Sequence, residues 1–163
     1  MMVFDQTEFF LLALILFPIY LWRHRQQPVR QLIFRAVFFT YLAGVVSQTL
    51  FPINLVWEWG LAGKDNHIEL TLFQYFVWRD AILNVLLTLP FGLLYPFVTR
   101  HSWPRTLMFG LLIPVVIEVS QLILLYTTFD YSRVVDVSDV LFNFIGLVIG
   151  YLIYRMLVGK NRR

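Results

Sequence analysis

The sequence predicts an all-α, polytopic membrane bundle of about five transmembrane helices, and three observations predict it. Hydrophobic residues make up 59% of the 163 and charged residues only 14%, whereas a water-soluble domain is nearer half apolar with about a quarter charged. Five apolar stretches approach the roughly 20 residues that cross a bilayer. Basic residues gather in short segments between those stretches, on alternate connections, as the positive-inside rule requires. No Pro/Gly/Ser-rich linker, low-complexity run or internal repeat divides residues 1–163, which read as one transmembrane domain.

The first span, 4–22, has its positive charges after the apolar run and no small-residue cleavage site. It therefore reads as an anchor with its N-terminus outside, not as a cleaved signal. The second, 36–51, is short unless it begins near Leu32 with Arg35 snorkelling to the headgroups. The third, fourth and fifth are 81–98, 106–126 and 140–158. Pro18, Pro90 and Pro114 interrupt their helices; Pro114 withholds an N–H from the Gly110 carbonyl and permits a bend one turn before Glu118.

Charge orients these spans. Arg23, Arg25, Arg30 and Arg35, then Arg100 and Arg105, then Arg155, Lys160, Arg162 and Arg163 supply ten of the 13 basic residues, in segments without Asp or Glu. They belong on the cytoplasmic side, which puts the N-terminus outside and the C-terminus inside. The long outer connection, 52–78, carries Trp57, Trp59, Tyr75 and Trp78, as an interfacial segment does. His67 lies in that loop and reads as a solvated histidine; His24 and His101 fall on the inner side. The absence of cysteine excludes disulfides and thiolate chemistry. A pI of 9.4 does not signal nucleic acid, because there is no continuous basic face.

Polar residues concentrate in the outer parts of spans three to five. Asp80 opens span three with Asn84 one turn deeper; Glu118 and Gln121 share a face of span four. Asp136, Asp139 and Asn143 form one stripe of span five, with Arg133 just before it. At the helical rise, Glu118 lies roughly 12 Å below the outer end of its span, Asn143 roughly 10 Å below Asp136 and Asn84 about 6 Å below Asp80. A charge at the centre of a span costs on the order of 2.5–3.5 kcal/mol, so Glu118 should face protein or a watery cavity. Its bland role is a hydrogen bond between spans; the shared depth of its polar neighbours argues instead for a functional cavity. Glu118, Asp136 and Asp139 offer hard oxygen ligands for which a divalent cation is chemically reasonable, but their spacing matches no closed motif and no cofactor is expected. Gly146 and Gly150 continue the Asp139–Asn143 face as a close-packing pair.

These residues also carry a resemblance. Asp80-Ala-Ile-Leu-Asn84 with Pro90-Phe-Gly92, Glu118-Val-Ser-Gln121, and the run from Arg133 through Asp136, Asp139 and Asn143 to Gly146 resemble, in order, the signatures of the VanZ-like family. The match covers about 80–154, and Thr49-Leu-Phe51-Pro52 agrees with the end of the second span. The resemblance implies a bacterial cytoplasmic-membrane protein in a family whose namesake is associated with resistance to teicoplanin, a glycopeptide that acts on lipid-linked wall precursors. A distant similarity to enzymes that exchange lipid head groups has been proposed for the family.

The expected partner is accordingly a membrane lipid or lipid-linked envelope precursor. Catalysis would fall to Glu118, Asp139 and Asp136, and head-group binding to Asn84, Gln121, Arg133, Asn143 and Asp80. A non-catalytic binder of the same molecules and a proton-coupled transporter are the alternatives. The inner halves of the spans offer little polar path for the latter.

Overall fold

The computed structural model describes residues 2–55, 68–69, 71–73, 76–99, 102–128 and 135–159. Five helices dominate: α1 (Gln6–Arg23), α2 (Val29–Leu50), α3 (Trp78–Val98), α4 (Trp103–Thr128) and α5 (Val137–Gly159). Each is long and apolar enough to cross a membrane. Two short strand pairings lie outside the helices. β1 (Met2–Phe4) pairs antiparallel with β2 (Ile53–Leu55), joining the entry of α1 to the exit of α2. β3 (Ile68–Glu69) pairs parallel with β4 (Val135–Asp136), which leads directly into α5.

α2 to α5 start earlier than their apolar windows, whereas α1 starts two residues later than its own. The largest difference is in α2, which begins at Val29 and runs for 22 residues, about 33 Å at the helical rise. Hydropathy falls at Arg30, Gln31 and Arg35, but arginine and glutamine are good helix formers, and Pro28 introduces the first turn. Arg35 is consequently inside the helix. Its Nη2 donates to the Val98 carbonyl at the end of α3 (3.3 Å). Pro104 stands in the first turn of α4, where proline costs no hydrogen bond.

α1 is set by a capping box. The Thr7 N–H donates to Asp5 Oδ1 (2.6 Å) and the Asp5 N–H to Glu8 Oε2 (3.0 Å), so two orphan donors of the first turn are satisfied.

α3 and α5 make the most extensive contact of the bundle, and glycine makes it possible. A Cβ on Gly146 would collide with the Val85 carbonyl and the Thr88 hydroxyl, and one on Gly150 with the Leu89 carbonyl. Backbone therefore lies directly on backbone, which is how helices gain van der Waals contact where lipid tails are as apolar as any side chain. The core beside this seam is Phe38 of α2, Phe91 of α3 and Leu147 of α5. Phe91 stacks on Tyr95 (4.7 Å between centroids), and the Tyr41 hydroxyl donates to the Leu87 carbonyl (2.7 Å), joining α2 to α3. α1 buries no residue. It rests on α2 through ring contacts such as Phe17 with Phe39 (5.4 Å).

Candidate functional site

The polar layer begins at the α3–α5 seam. Asn84 Nδ2 donates to Asp139 Oδ1 (2.5 Å). One turn on, the Thr88 hydroxyl donates to the Asn143 carbonyl (2.5 Å), with the Asn84 carbonyl also in reach at 3.2 Å. The close approach that Gly146 permits lets a side chain as short as Thr88 reach the backbone of the facing helix.

The head of α5 is fixed separately. Asp136 Oδ1 accepts from the Ser138 N–H (2.7 Å), an N-cap arrangement. Ser138, itself buried, accepts through Oγ from the Phe73 N–H (3.0 Å). Phe73 has a φ of 63°, a left-handed conformation that costs a non-glycine residue of order 1 kcal/mol or more and persists only where surroundings hold it. The Ser138 bond and ring contacts with Phe76 and Phe142 (6.0 Å each) hold it here.

Glu118 enters this layer from α4. It is only 9% exposed, and the main chain at Asp136 bonds its carboxylate while the charges of Asp139 and Asp136 act on it. Its Oε2 has no hydrogen-bond partner among the described residues. Two other buried oxygens share that condition in the bundle, Asn143 Oδ1 and Ser47 Oγ. Leaving a buried polar group unpaired costs about 1–3 kcal/mol, and more when it is charged. Such a group in a native bundle calls for an explanation, and a polar ligand or water at Glu118 is one.

Other expected residues are placed differently. Gln121 lies one turn from Glu118, but its Nε2 donates to the Thr49 carbonyl (3.0 Å), which ties α4 to α2. Asp80 is exposed in the first turn of α3. Arg133 and His67 lie outside the described residues. Among the described residues, no group of three or more His, Cys, Asp or Glu has the arrangement of a metal site. Thr88 and Ser138 are polar members of the layer that the sequence did not single out. The four-residue step from Asn84 to Thr88, on one helix face, was the available signal for the first.

Fold and site together define a multi-pass α-helical membrane protein with a carboxylate- and amide-bearing layer buried toward one end of its bundle. The VanZ/LLP1 family profile matches residues 9–158. The chain belongs to that family, as its motifs led one to expect. No curated protein and no solved structure matches it.

Proposed function

We propose that the protein acts on a lipid or lipid-linked cell-envelope precursor, with its head group at the Glu118 layer and its tail among the helices. The observation that carries this reading is Glu118 itself: a buried carboxylate whose Oε2 has no hydrogen-bond partner among the described residues, beside Asp139 and Asp136, in a helix apolar enough to cross a membrane. Basic residues draw their end of the bundle to the cytoplasm, so the layer would serve the outer leaflet. Reporters at residues 26, 102 and 160 are then cytoplasmic and one at Lys64 is not; a cytoplasmic Lys64 removes the outer-leaflet assignment.

In the proposed reaction Glu118 takes the proton of water, or of an incoming hydroxyl, as that oxygen bonds to phosphorus. The bond from phosphorus to the departing head-group oxygen breaks, and that oxygen takes a proton from the carboxyl group. Asp139, oriented by Asn84, would stabilise the entering hydroxyl, and Asp136 would fix the Glu118 carboxylate from the head of α5. Asn143 would bind the head group, and Arg133, by its guanidinium fork, would neutralise phosphate charge. Family membership supports a role at the cell envelope and extends it to teicoplanin resistance.

The test compares wild type, Glu118→Gln and Asp139→Asn as purified proteins in lipid nanodiscs, with head-group release or exchange measured beside thermal stability. General acid–base catalysis predicts a loss of about 10²–10⁴-fold for Glu118→Gln, with the melting temperature and lipid copurification nearly unchanged. Activity and stability falling in proportion would make the layer structural and end the enzymatic reading. Asn84 already engages one Asp139 oxygen, which favours one second reading, a binder that needs shape but no reactive group. For a binder, Glu118→Gln retains lipid and still confers teicoplanin tolerance.

A further inference from the structure

The opposite end of the bundle carries a second polar feature that the reaction does not use. A groove of about 900 Å³ lies between the start of α2, the end of α3 and the end of α5. Its polar wall is Arg30, Arg35, Gln27 and Gln31, and no Asp or Glu lines it among the described residues. Its other wall is aromatic and rigid: Phe34 stacks on Phe97 (4.5 Å, 2° between planes), and Phe97 meets Tyr154 edge-on (4.9 Å).

Arg35 is the informative residue. One guanidinium N–H donates to the Val98 carbonyl at 3.3 Å, a cation at a helix C-terminus. Its Nε is buried with no partner among the described residues. A cap for α3 needs one N–H; it gives no reason to bury another donor unpaired, at about 1–3 kcal/mol. The guanidinium fork is built to meet two oxygens at once, and phosphate offers them. Arg30, five residues earlier on α2, lines the same groove, with its guanidinium 5.9 Å from the Phe34 ring centre.

We propose that this groove is a binding site for a phosphate-bearing anion, held by Arg35 and Arg30 with its apolar portion along Phe34 and Phe97. An acidic phospholipid fits both walls, because basic pockets between helices at the cytoplasmic side take anionic head groups and the aromatic wall takes the first methylenes. Free phosphate satisfies the arginines alone.

The experiment uses the full chain in detergent, with phosphatidylglycerol, phosphatidylcholine or millimolar inorganic phosphate added. Native mass spectrometry reads lipid retention and a melting curve reads stability. Phosphatidylglycerol is expected to be retained about tenfold over phosphatidylcholine. Arg35→Gln lowers that retention about tenfold, the value of a charge-assisted hydrogen bond. Arg30→Gln, at an exposed position, lowers it roughly fivefold and leaves the melting temperature unchanged, so its result does not depend on whether Arg35→Gln folds. Inorganic phosphate that displaces phosphatidylglycerol, and stabilises the protein equally without lipid, supports the anion site and assigns it to the free ion. Equal retention of the two lipids with no response to phosphate overturns the site. So does unchanged retention by Arg30→Gln together with an Arg35→Gln variant that only melts earlier, the behaviour of a cap.

Discussion

α1 and α5 are both apolar helices of membrane-spanning length, yet they are held in opposite ways. α5 lies backbone to backbone on α3 through Gly146 and Gly150 and is bonded to it at Asp139 and at the Asn143 carbonyl. α1 buries nothing, leaves Leu14 and Ile15 more than 60% exposed, and borders a groove of about 690 Å³ against α2. The difference teaches where specificity comes from in lipid. A leucine gains little by leaving lipid tails for another helix, so large apolar side chains do not decide which faces meet. Small residues and polar bonds do, and they occur on α3 and α5. α3 and α5, the two helices of the polar seam, are thus the ones whose relative position is fixed most closely.

The comparison breaks most completely at Gly146. Gly146→Leu places a branched side chain where even a Cβ collides with the Val85 carbonyl. Overpacking of this kind costs on the order of 3 kcal/mol, and separation of the seam would also part Asn84 from Asp139. A large fall in unfolding midpoint is expected, with loss of activity alongside it. An unchanged midpoint would show that α3 and α5 do not need this approach.

Thr88→Val is the intermediate case. It keeps the shape of the side chain and removes the hydroxyl that donates to the Asn143 carbonyl. Bonds between membrane helices are worth about 0.6 kcal/mol on average and up to about 1.7, and this one is buried, so a loss near the upper value is expected. Leu14→Ala on α1 is the paired measurement. It removes more apolar volume, but from a lipid-facing position, and the midpoint is expected to shift by less than about 0.5 kcal/mol. A larger effect for Leu14→Ala than for Thr88→Val would reverse the contrast between the two helices.

The same contrast explains what could be read from the sequence. Helix number and type were legible because crossing a bilayer demands long apolar runs, and Gly146 and Gly150 were legible from their spacing along one face. The start of α2 was not, since hydropathy registers Arg30 and Arg35 as an end while helix propensity carries the backbone through them. In the candidate site, the shared α5 face of Asp139 and Asn143 followed from counting residues. The bonding partners did not, because a bond such as Gln121 to Thr49 depends on how α4 crosses α2, which no one-helix pattern encodes. Thr88 looks like any small polar residue until the crossing brings the Asn143 carbonyl to its hydroxyl.

The smallest expected effect sharpens the comparison at the opposite extreme, where α1 is held by its own first turn. Asp5 is exposed, and hydrogen bonding with the Glu8 side chain, then with the Thr7 N–H, holds its carboxyl below the ordinary 3.8. A carboxyl whose folded value is depressed stabilises the structure above the unfolded value, and that contribution is lost as pH falls through the folded one. Hydrogen-exchange protection of the Thr7 and Glu8 amides, corrected for intrinsic rates, is therefore expected to hold from neutral pH to the region of 3.8 and to fall only below it. Asp5→Asn retains a capping oxygen but has no proton to gain at that position, so its protection should vary less with pH. Protection at the α3–α5 seam should not follow this titration in either protein, because Gly146 packing and the Thr88 bond contain no group that Asp5 touches. If wild type loses its first-turn protection well above the ordinary carboxylate value, or if Asp5→Asn shows the same titration, the cap does not hold α1. If the seam loosens with it, the two regions are not independent.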